Sequence, residues 1–302
     1  MRTLHRLRAL LTSRKLFRNW LSTGVRYYLI RRGLVSGGIT ARFRCDGRVY
    51  VLSSQAYASI VSAYYDGLFR LVCDDELVGK FFGVIDLIYR DGEFLLRMPD
   101  GILLTIDSFK PTIIAETWLY DIHFLGFDLS GWFVLDIGAF VGDTALYYAR
   151  RGALVVAVEP LPSNYETMIR NLELNPELKP RIIPINAAIS GEDGFVEFRY
   201  DVTVDDSAST HGAGRFTAKV RSVRLSTLIR ELESRGIDMG RFKVRVLKVD
   251  CKGCEYELVN DDSLRLFDIV KIEYNGHLIN KTYHELMSSA LKYGLDKHGI
   301  MT

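Results

Sequence analysis

The sequence predicts an α/β protein built on a doubly wound, mostly parallel sheet, with a smaller α+β segment ahead of it. Three observations carry that expectation. Residues 132–160 read WFVLDIGAFVGDTALYYARRGALVVAVEP, a short apolar run, a glycine turn, a helix-period segment and a second apolar run. This is a strand, helix, parallel strand unit, whose right-handed crossover sets both strand tips on one rim. Beyond residue 160, apolar runs and helix-period segments keep alternating, as in a sheet covered on both faces. The runs also close repeatedly on a polar residue, at Asp136, Glu159, Asn186, Asp250 and Glu273. In open α/β sheets, ligands bind in the crevice outside those strand ends.

The glycine unit comes first because the ligand belongs over its turn. Its first strand, residues 133–135, closes on Asp136, and the chain turns through Gly138 and Gly142 into a helix that includes Thr144, Ala145, Leu146 and Tyr148. Arg150 and Arg151 suit the negative end of that helix dipole, and Gly152 supplies the stop. The second strand, residues 154–158, ends on Glu159 with Pro160 behind it. Lacking Cβ, Gly138 allows a tight reversal and close approach of a ligand to the backbone, while Gly142 lets the helix start near the sheet. Glu159 stands where a carboxylate accepts both hydroxyls of a ribose. A dinucleotide-binding turn wants G-x-G-x-x-G, whereas this one carries Asp136 and Asp143, acids that repel a pyrophosphate. A ligand with a ribose and a cationic centre fits better, and S-adenosylmethionine has both. The bland alternative is a crossover whose glycines serve packing alone.

Downstream, residues 163–174 read as a helix with Pro162 near its start, 182–189 as a strand, and 190–194 as a turn. Residues 195–200 and 218–225 are expected to pair as a hairpin around a polar loop, 201–215. A helix over 226–235 is ended by Gly236. Strands at 244–249 and 269–274 and a helix at 282–291 complete the pattern.

Upstream, charge is the leading signal. The 302 residues carry a net charge of +2, yet residues 1–45 hold eleven Lys or Arg and no Asp or Glu. The rest has 28 basic against 37 acidic residues, a balance of −9, so the basic charge belongs to an arm and not to the fold. The expected organisation is a basic amphipathic arm over 1–38, a small α+β subdomain over 39–129 and the sheet domain over 130–302. In the arm, Leu4, Leu7, Leu10, Leu11, Leu16, Phe17, Trp20 and Leu21 alternate with arginines at helical spacing. That pattern suits a helix on an anionic lipid surface, and equally one docked on its own protein or on a partner. Nucleic acid is not expected, since no base-reading module accompanies the charge.

Between residues 39 and 129, strands are expected at 48–52 and 94–98, bounded by turns at 46–47, 91–93 and 99–101. Residues 56–71 read as a helix offering Tyr57, Ile60, Val61, Tyr64 and Phe69 to one face. The segment 113–124 then leads into the glycine unit, and its Glu116, Asp121 and His123 are expected in a pocket wall. No apolar stretch reaches the roughly 20 residues needed to span a bilayer. Arg14, Lys15 and Arg18 interrupt what would otherwise resemble a secretory signal, so the expected location is cytoplasmic, peripheral to a membrane if the arm binds lipid.

Cys45, Cys73, Cys251 and Cys254 are too few and too scattered for a disulfide scaffold. Cys251-x-x-Cys254 would need two more ligands for zinc, so no metal is expected, and no thioredoxin-like pattern surrounds it. For that pair buried or rim thiols are the favoured reading, with regulatory disulfide formation the lesser alternative.

Several separated blocks resemble the FkbM-type S-adenosylmethionine-dependent methyltransferases. They are residues 134–143, VLDIGAFVGD; Val158-Glu159-Pro160 with Tyr165 and Asn171; Asn186-Ala187-Ala188-Ile189; and residues 247–255, LKVDCKGCE, similar to the family's K-x-D-x-E-G-x-E signature. The resemblance covers roughly residues 116–277 and implies a Rossmann-like class I methyltransferase fold. It implies that Asp136, Gly138 and Gly142 line the methionine part of the cofactor, that Glu159 holds the ribose, and that Asn186, Ala187 and Ala188 lie near the adenine. Glu116, Ala139, Asp143, Thr144 and Pro160 complete the candidate cofactor set. Two departures stand out. Lys252 replaces the first signature glutamate, whose role is then lost or passed to Glu255. Little chain is left for a terminal antiparallel hairpin, so a shortened sheet or another cover for that edge is expected.

Asp250 is implied to face the reacting methyl end. With His123 and Asp121 it is a candidate base for an acceptor hydroxyl, the only proton transfer such a displacement needs. His123 reads equally as an aromatic filler beside Phe124, and Asp250 as a binder of the cofactor ammonium. The favoured function is O-methylation of a sugar, glycan or small metabolite. A nicotinamide-dependent oxidoreductase and a non-catalytic binding protein on the same fold are the alternatives.

Overall fold

The computed structural model describes residues 11–124, 126–200, 216–273 and Thr282. The chain divides into two compact units, Met1–Leu119 and Tyr120–Thr302.

The first unit is α+β. Helix α1 (Trp20–Arg31) precedes an antiparallel pair, β1 (Ile39–Arg42) and β2 (Val49–Leu52), and helix α2 (Ser54–Tyr65). Ser53 caps α2, its Oγ accepting the Ala56 N–H at 2.9 Å. Five strands then form an antiparallel meander in chain order: β3 (Phe69–Asp74), β4 (Leu77–Phe81), β5 (Ile85–Arg90), β6 (Glu93–Arg97) and β7 (Leu103–Thr105). The helix expected over 56–71 therefore ends at Tyr65. Gly67 takes a left-handed φ of 74°, which reverses the chain and sends Phe69 into β3. Phe17, Phe43, Tyr50 and Tyr57 are buried together, the Phe17 and Phe43 rings 4.9 Å apart. A short helix, Pro111–Ile114, runs into a π-helical turn, Ala115–Leu119, on which Glu116 is exposed. Cys45 and Cys73, too scattered in sequence to suggest a disulfide scaffold, form a disulfide, because the fold of this unit brings their Cα atoms to 5.8 Å.

The second unit carries the parallel sheet. In chain order it contains β8 (Trp132–Ile137), α3 (Asp143–Arg150), β9 (Leu154–Val158), α4 (Pro162–Glu173), β10 (Ile182–Ile185), β11 (Ala188–Ile189), β12 (Gly194–Tyr200), β13 (Phe216–Val223), α5 (Leu225–Ser234), β14 (Val244–Val249) and β15 (Ile269–Ile272). Five strands lie parallel in the order β10-β9-β8-β14-β15, so the winding reverses between β8 and β14. Phe133, Leu135 and Ile137 of β8 share one core with Val156, Val158, Leu247 and Val249 and with Leu228, Ile229 and Leu232 of α5. The alternate residues of β8 face the other way, where Asp136 meets Thr144 of α3. Helices thus cover both faces, as the sequence predicts.

The strand expected over 182–189 is divided. Asn186 leaves the sheet, its Nδ2 donating to the Glu159 and Pro160 carbonyls at 2.8 and 3.0 Å. Residues 188–189 then join a second sheet in the order β11-β13-β12, which contains the expected hairpin. The polar loop 201–215 and the helix expected over 282–291 lie outside the described residues. β15 is the last strand among those described.

Candidate functional site

Position in the sheet brings the site together. The carboxyl ends of β8, β9, β10 and β14 surround a cleft of about 250 Å³, walled by Gly138, Pro160, Ala187, Ala188, Cys251 and Gly253. Ile189, Val196 and Phe198 of the second sheet line the same space, with Ser190 and Glu257 as polar neighbours. Small-ligand pockets run from roughly 300 to 1,000 Å³. A cleft just below that range suits a nucleoside better than a dinucleotide, which has about twice the atoms. Of the expected cofactor residues, Gly138, Pro160, Ala187 and Ala188 are in its wall.

The two turn glycines are fixed by their surroundings. Gly138 takes a φ of 79°, and a Cβ there would overlap the Asp250 carbonyl oxygen. The β8 and β14 tips pack backbone against backbone at this point, which only glycine permits. Gly142, also at φ 79°, starts α3, and a Cβ there would sit 2.8 Å from Met168 Cγ of α4. Between them, the Gly138 and Ala139 N–H groups both donate to the Val158 carbonyl.

Behind the turn lies a buried polar network. The register sets Lys248 of β14 directly opposite Asp136 of β8. Lys248 Nζ donates to Asp136 Oδ1 at 2.9 Å, and Thr144 Oγ1 donates to Oδ2 at 2.5 Å. Asp136 is completely buried, and both its oxygens are engaged. Burial works against the charge on Lys248, but Asp136 and Asp250 outweigh it and raise the ammonium pKa. Asp143 opens α3 and is buried too; burial, opposed by Lys248 and reinforced by Asp136, pushes its carboxyl up to about 7. Its Oδ2 has no hydrogen-bond partner, and neither does the buried Ser163 Oγ on α4.

Glu159 is 5% exposed and does not line the cleft. Its Oε1 accepts the Leu161 N–H at 2.9 Å and Asn164 Nδ2 at 3.2 Å, and its Oε2 accepts the Phe140 N–H at 3.0 Å. It therefore clamps the glycine turn to the start of α4. Burial pushes this carboxyl up to about 8 against the pull of those three donors.

The candidate bases fall in different places. Asp250 precedes the cleft residue Cys251, with Oδ1 3.4 Å from Lys252 Nζ. Glu273, at the tip of β15 beside it, is pushed up to about 7 by burial and by the Asp250 charge. Asp121 is engaged elsewhere: Arg151 Nη2 donates to it at 2.6 Å, and it accepts the Tyr147 hydroxyl. His123 packs against the Tyr147 and Tyr148 rings, centroids 5.7 Å away in each case. Burial and the nearby Lys248, Lys271 and Arg151 charges depress its imidazole to about 2. Neither Asp121 nor His123 lines the cleft, and Glu116 belongs to the other unit.

Cys251 and Cys254, expected as thiols, are bonded to each other, Cα atoms 5.5 Å apart, because the turn after β14 folds them together. In that turn Lys252 takes a left-handed φ of 52°. Glu255 is fully buried with Oε2 accepting the Gly253 N–H at 2.7 Å, so it holds the turn. Sequence reasoning gave Lys248 no role and passed over Glu257, whose Oε2 accepts the Gly191 N–H across the cleft rim. Its place as the lysine of the K-x-D block was the available signal for the first. Nothing local marks the second.

A five-stranded parallel sheet wound in this order, with a cleft at its switch point, defines a Rossmann-like α/β fold. Within that class, the chain belongs to the FkbM methyltransferase family: the Methyltransferase FkbM domain matches residues 136–294, more than half its length. A curated relative, methyltransferase sdnD of Sordaria araneosa, is 26% identical over 165 residues, 46% of this chain. The match spans 63% of that relative's length. Among solved structures, an S-adenosylmethionine-dependent methyltransferase from Agrobacterium tumefaciens aligns over 79% of this chain and 68% of its own, with 13% identity and a TM-score of 0.36. TYW2 of P. horikoshii, solved with MeSAdo, aligns over 48% and 59%, with 14% identity and a TM-score of 0.23. At those scores the structural likenesses add nothing to the family match.

Proposed function

We propose that this chain is an S-adenosylmethionine-dependent methyltransferase acting on a hydroxyl of a sugar, glycan or small metabolite. The supporting observation is the cleft itself, mostly apolar with Glu257 and Ser190 at its edge and placed at the switch point of the sheet, in a chain of this family. The residues present fit such a cofactor. Ala187, Ala188, Ile189 and Phe198 offer an apolar slot for an adenine. The unpartnered Asp143 Oδ2 and Ser163 Oγ are buried acceptors close in sequence to the glycine turn and to Glu159. Glu159 does not line the cleft, so its part is to hold the glycine turn through Phe140, Leu161 and Asn164.

Bound there, the cofactor supplies an electrophilic methyl group on a sulfonium. The chain's own part is alignment and the exclusion of water, which alone lowers such a barrier by up to roughly 7 to 11 kcal/mol. Asp250 is the proposed base, next to the cleft with Lys252 and Glu273 as its neighbours. Asp121 is spent on Arg151 and Tyr147, and His123 is too weak a base at so low a pKa. Equilibrium binding of S-adenosylhomocysteine against NAD tests the cofactor class, with only the first expected to bind. Mass-spectrometric search for methylated product across hydroxyl-bearing sugars, glycans and small metabolites tests the acceptor. Tighter binding of NAD would overturn the proposal.

A further inference from the structure

Helix α1 leaves an apolar stripe exposed beside the side it packs. Its packed side carries Thr23 and Gly24, both buried, and Tyr27, whose ring lies 4.9 Å from that of Tyr57 on α2. Polar contacts fix the seat: Asn19 Nδ2 donates to the Thr40 carbonyl at 2.9 Å, and Arg26 donates to the Gly38 and Ser36 carbonyls. On its outer side, Leu21, Val25 and Tyr28 are 62%, 52% and 55% exposed. At 3.6 residues per turn the three fall within about 60° of arc, a continuous apolar stripe that the fold of this unit leaves outside its core. Arg32 prolongs the stripe by one turn, its guanidinium 5.2 Å from the Tyr28 ring centroid.

Charge decides what covers it. Residues 1–45 contain no carboxylate. Arg14, Lys15, Arg18, Arg31, Arg32 and Arg42 are exposed, and none forms an ion pair among the described residues. A second copy of the chain would bring the same positive charge to the contact. A nucleic acid would meet the arginines but gain nothing from Leu21 and Val25. An anionic bilayer offers both an apolar boundary and negative headgroups, and a tyrosine beside arginines sits well at that boundary. No described helix is long and apolar enough to cross a membrane.

We infer that the Leu21–Val25–Tyr28 face of α1 docks on an anionic lipid surface, the three side chains entering the acyl boundary while the arginines lie against lipid phosphates. The inference stands apart from the catalytic proposal and uses no residue of the cleft.

The experiment is sedimentation of the full-length chain with vesicles of phosphatidylcholine and phosphatidylserine in equal parts, against phosphatidylcholine alone. The protein is expected to sediment with the anionic vesicles only, and less at high salt. Leu21→Ser/Val25→Ser/Tyr28→Ser and, separately, Arg31→Glu/Arg32→Glu should each lower binding roughly tenfold or more. The charge variant keeps the test valid if the apolar one fails to fold, and circular dichroism and elution volume check both. Absence of sedimentation, equal sedimentation with neutral vesicles, or no loss in a folded variant would overturn the inference. So would loss of binding on deleting residues 1–10 while the triple variant keeps it. A dimer that the triple variant converts to monomer would assign the face to a second copy instead.

Discussion

Lys248 Nζ lies 2.9 Å from Asp136 Oδ1, joining the two strands between which the winding of the sheet reverses. The pair spans 112 residues of sequence and is inaccessible on the carboxylate side. It is better understood as a structural lock under the cleft than as a direct ligand contact, since Asp136 has both oxygens committed. Removing one partner strands the other as a buried charge. Lys248→Met should therefore destabilise the chain by about 3 to 5 kcal/mol, read by urea denaturation. Adding Asp136→Asn to it should restore part of that loss; if the two changes are simply additive, the ion pair is not what holds the strand tips.

Much of the second unit is legible in the sequence because it obeys local rules. The strand at 154–158 is where its apolar run places it, and the helix at 163–174 differs by one residue at each end. What local rules leave unread depends on distance or on backbone conformation. Gly67 stops α2 six residues short of the expected end because it adopts a φ that a helix-period pattern does not encode. Asn186 divides a strand because its side chain finds the carbonyls of Glu159 and Pro160, 27 and 26 residues away. The inward turn of Glu159 depends on donors at Phe140, Leu161 and Asn164, which become neighbours only in the folded unit. Acid positions at strand tips were visible; which of them face the cleft was not.

Gly138 tests the packing of the β8 and β14 tips. An alanine must adopt a left-handed φ, at about 1 to 2 kcal/mol, and push against the Asp250 carbonyl. Gly138→Ala is expected to lower stability by more than about 2 kcal/mol and to weaken S-adenosylhomocysteine binding along with it. Calorimetry on the same sample reads both. Unchanged stability would mean the turn relaxes freely and the two tips are not in contact.

Two buried carboxyls set a pH dependence of known sign. Unfolded, Asp143 titrates near 3.8 and Glu159 near 4.5; folded, burial raises them to about 7 and about 8. Between those values the folded chain keeps protons that the unfolded chain has released, so stability falls as pH rises through the window from about 4 to 8. Asp143→Asn should flatten that slope, because it keeps an oxygen for the helix N–H groups and removes the charge. Denaturation midpoints across the window check it; a stability that climbs with pH there would contradict the burial of both groups.

His123 should behave as a neutral imidazole throughout the neutral range, its pKa depressed to about 2 by burial and by Lys248, Lys271 and Arg151. Its ring proton resonances are expected to stay constant between about pH 5 and 8, where a free histidine titrates. A titration step near 6.5 would mean the ring is hydrated and would return it to the list of candidate bases.

The four cysteines make the last expectation. Cys45 and Cys73 close a loop with a sequence separation of 28, Cys251 and Cys254 one of 3. Because cross-linking stabilises mainly by restricting the unfolded chain, the longer loop should matter more, roughly 3 to 4 kcal/mol against about 2. Cys45→Ser/Cys73→Ser should accordingly lower the denaturation midpoint further than Cys251→Ser/Cys254→Ser. The second pair lines the cleft, so its loss should show in S-adenosylhomocysteine affinity, whereas loss of the first should not. Native protein alkylated without reductant should take up no label by mass spectrometry, and four labels after reduction and unfolding. Uptake before reduction would mean that the pairs stand open, and the ordering of the two stability losses would then have no basis.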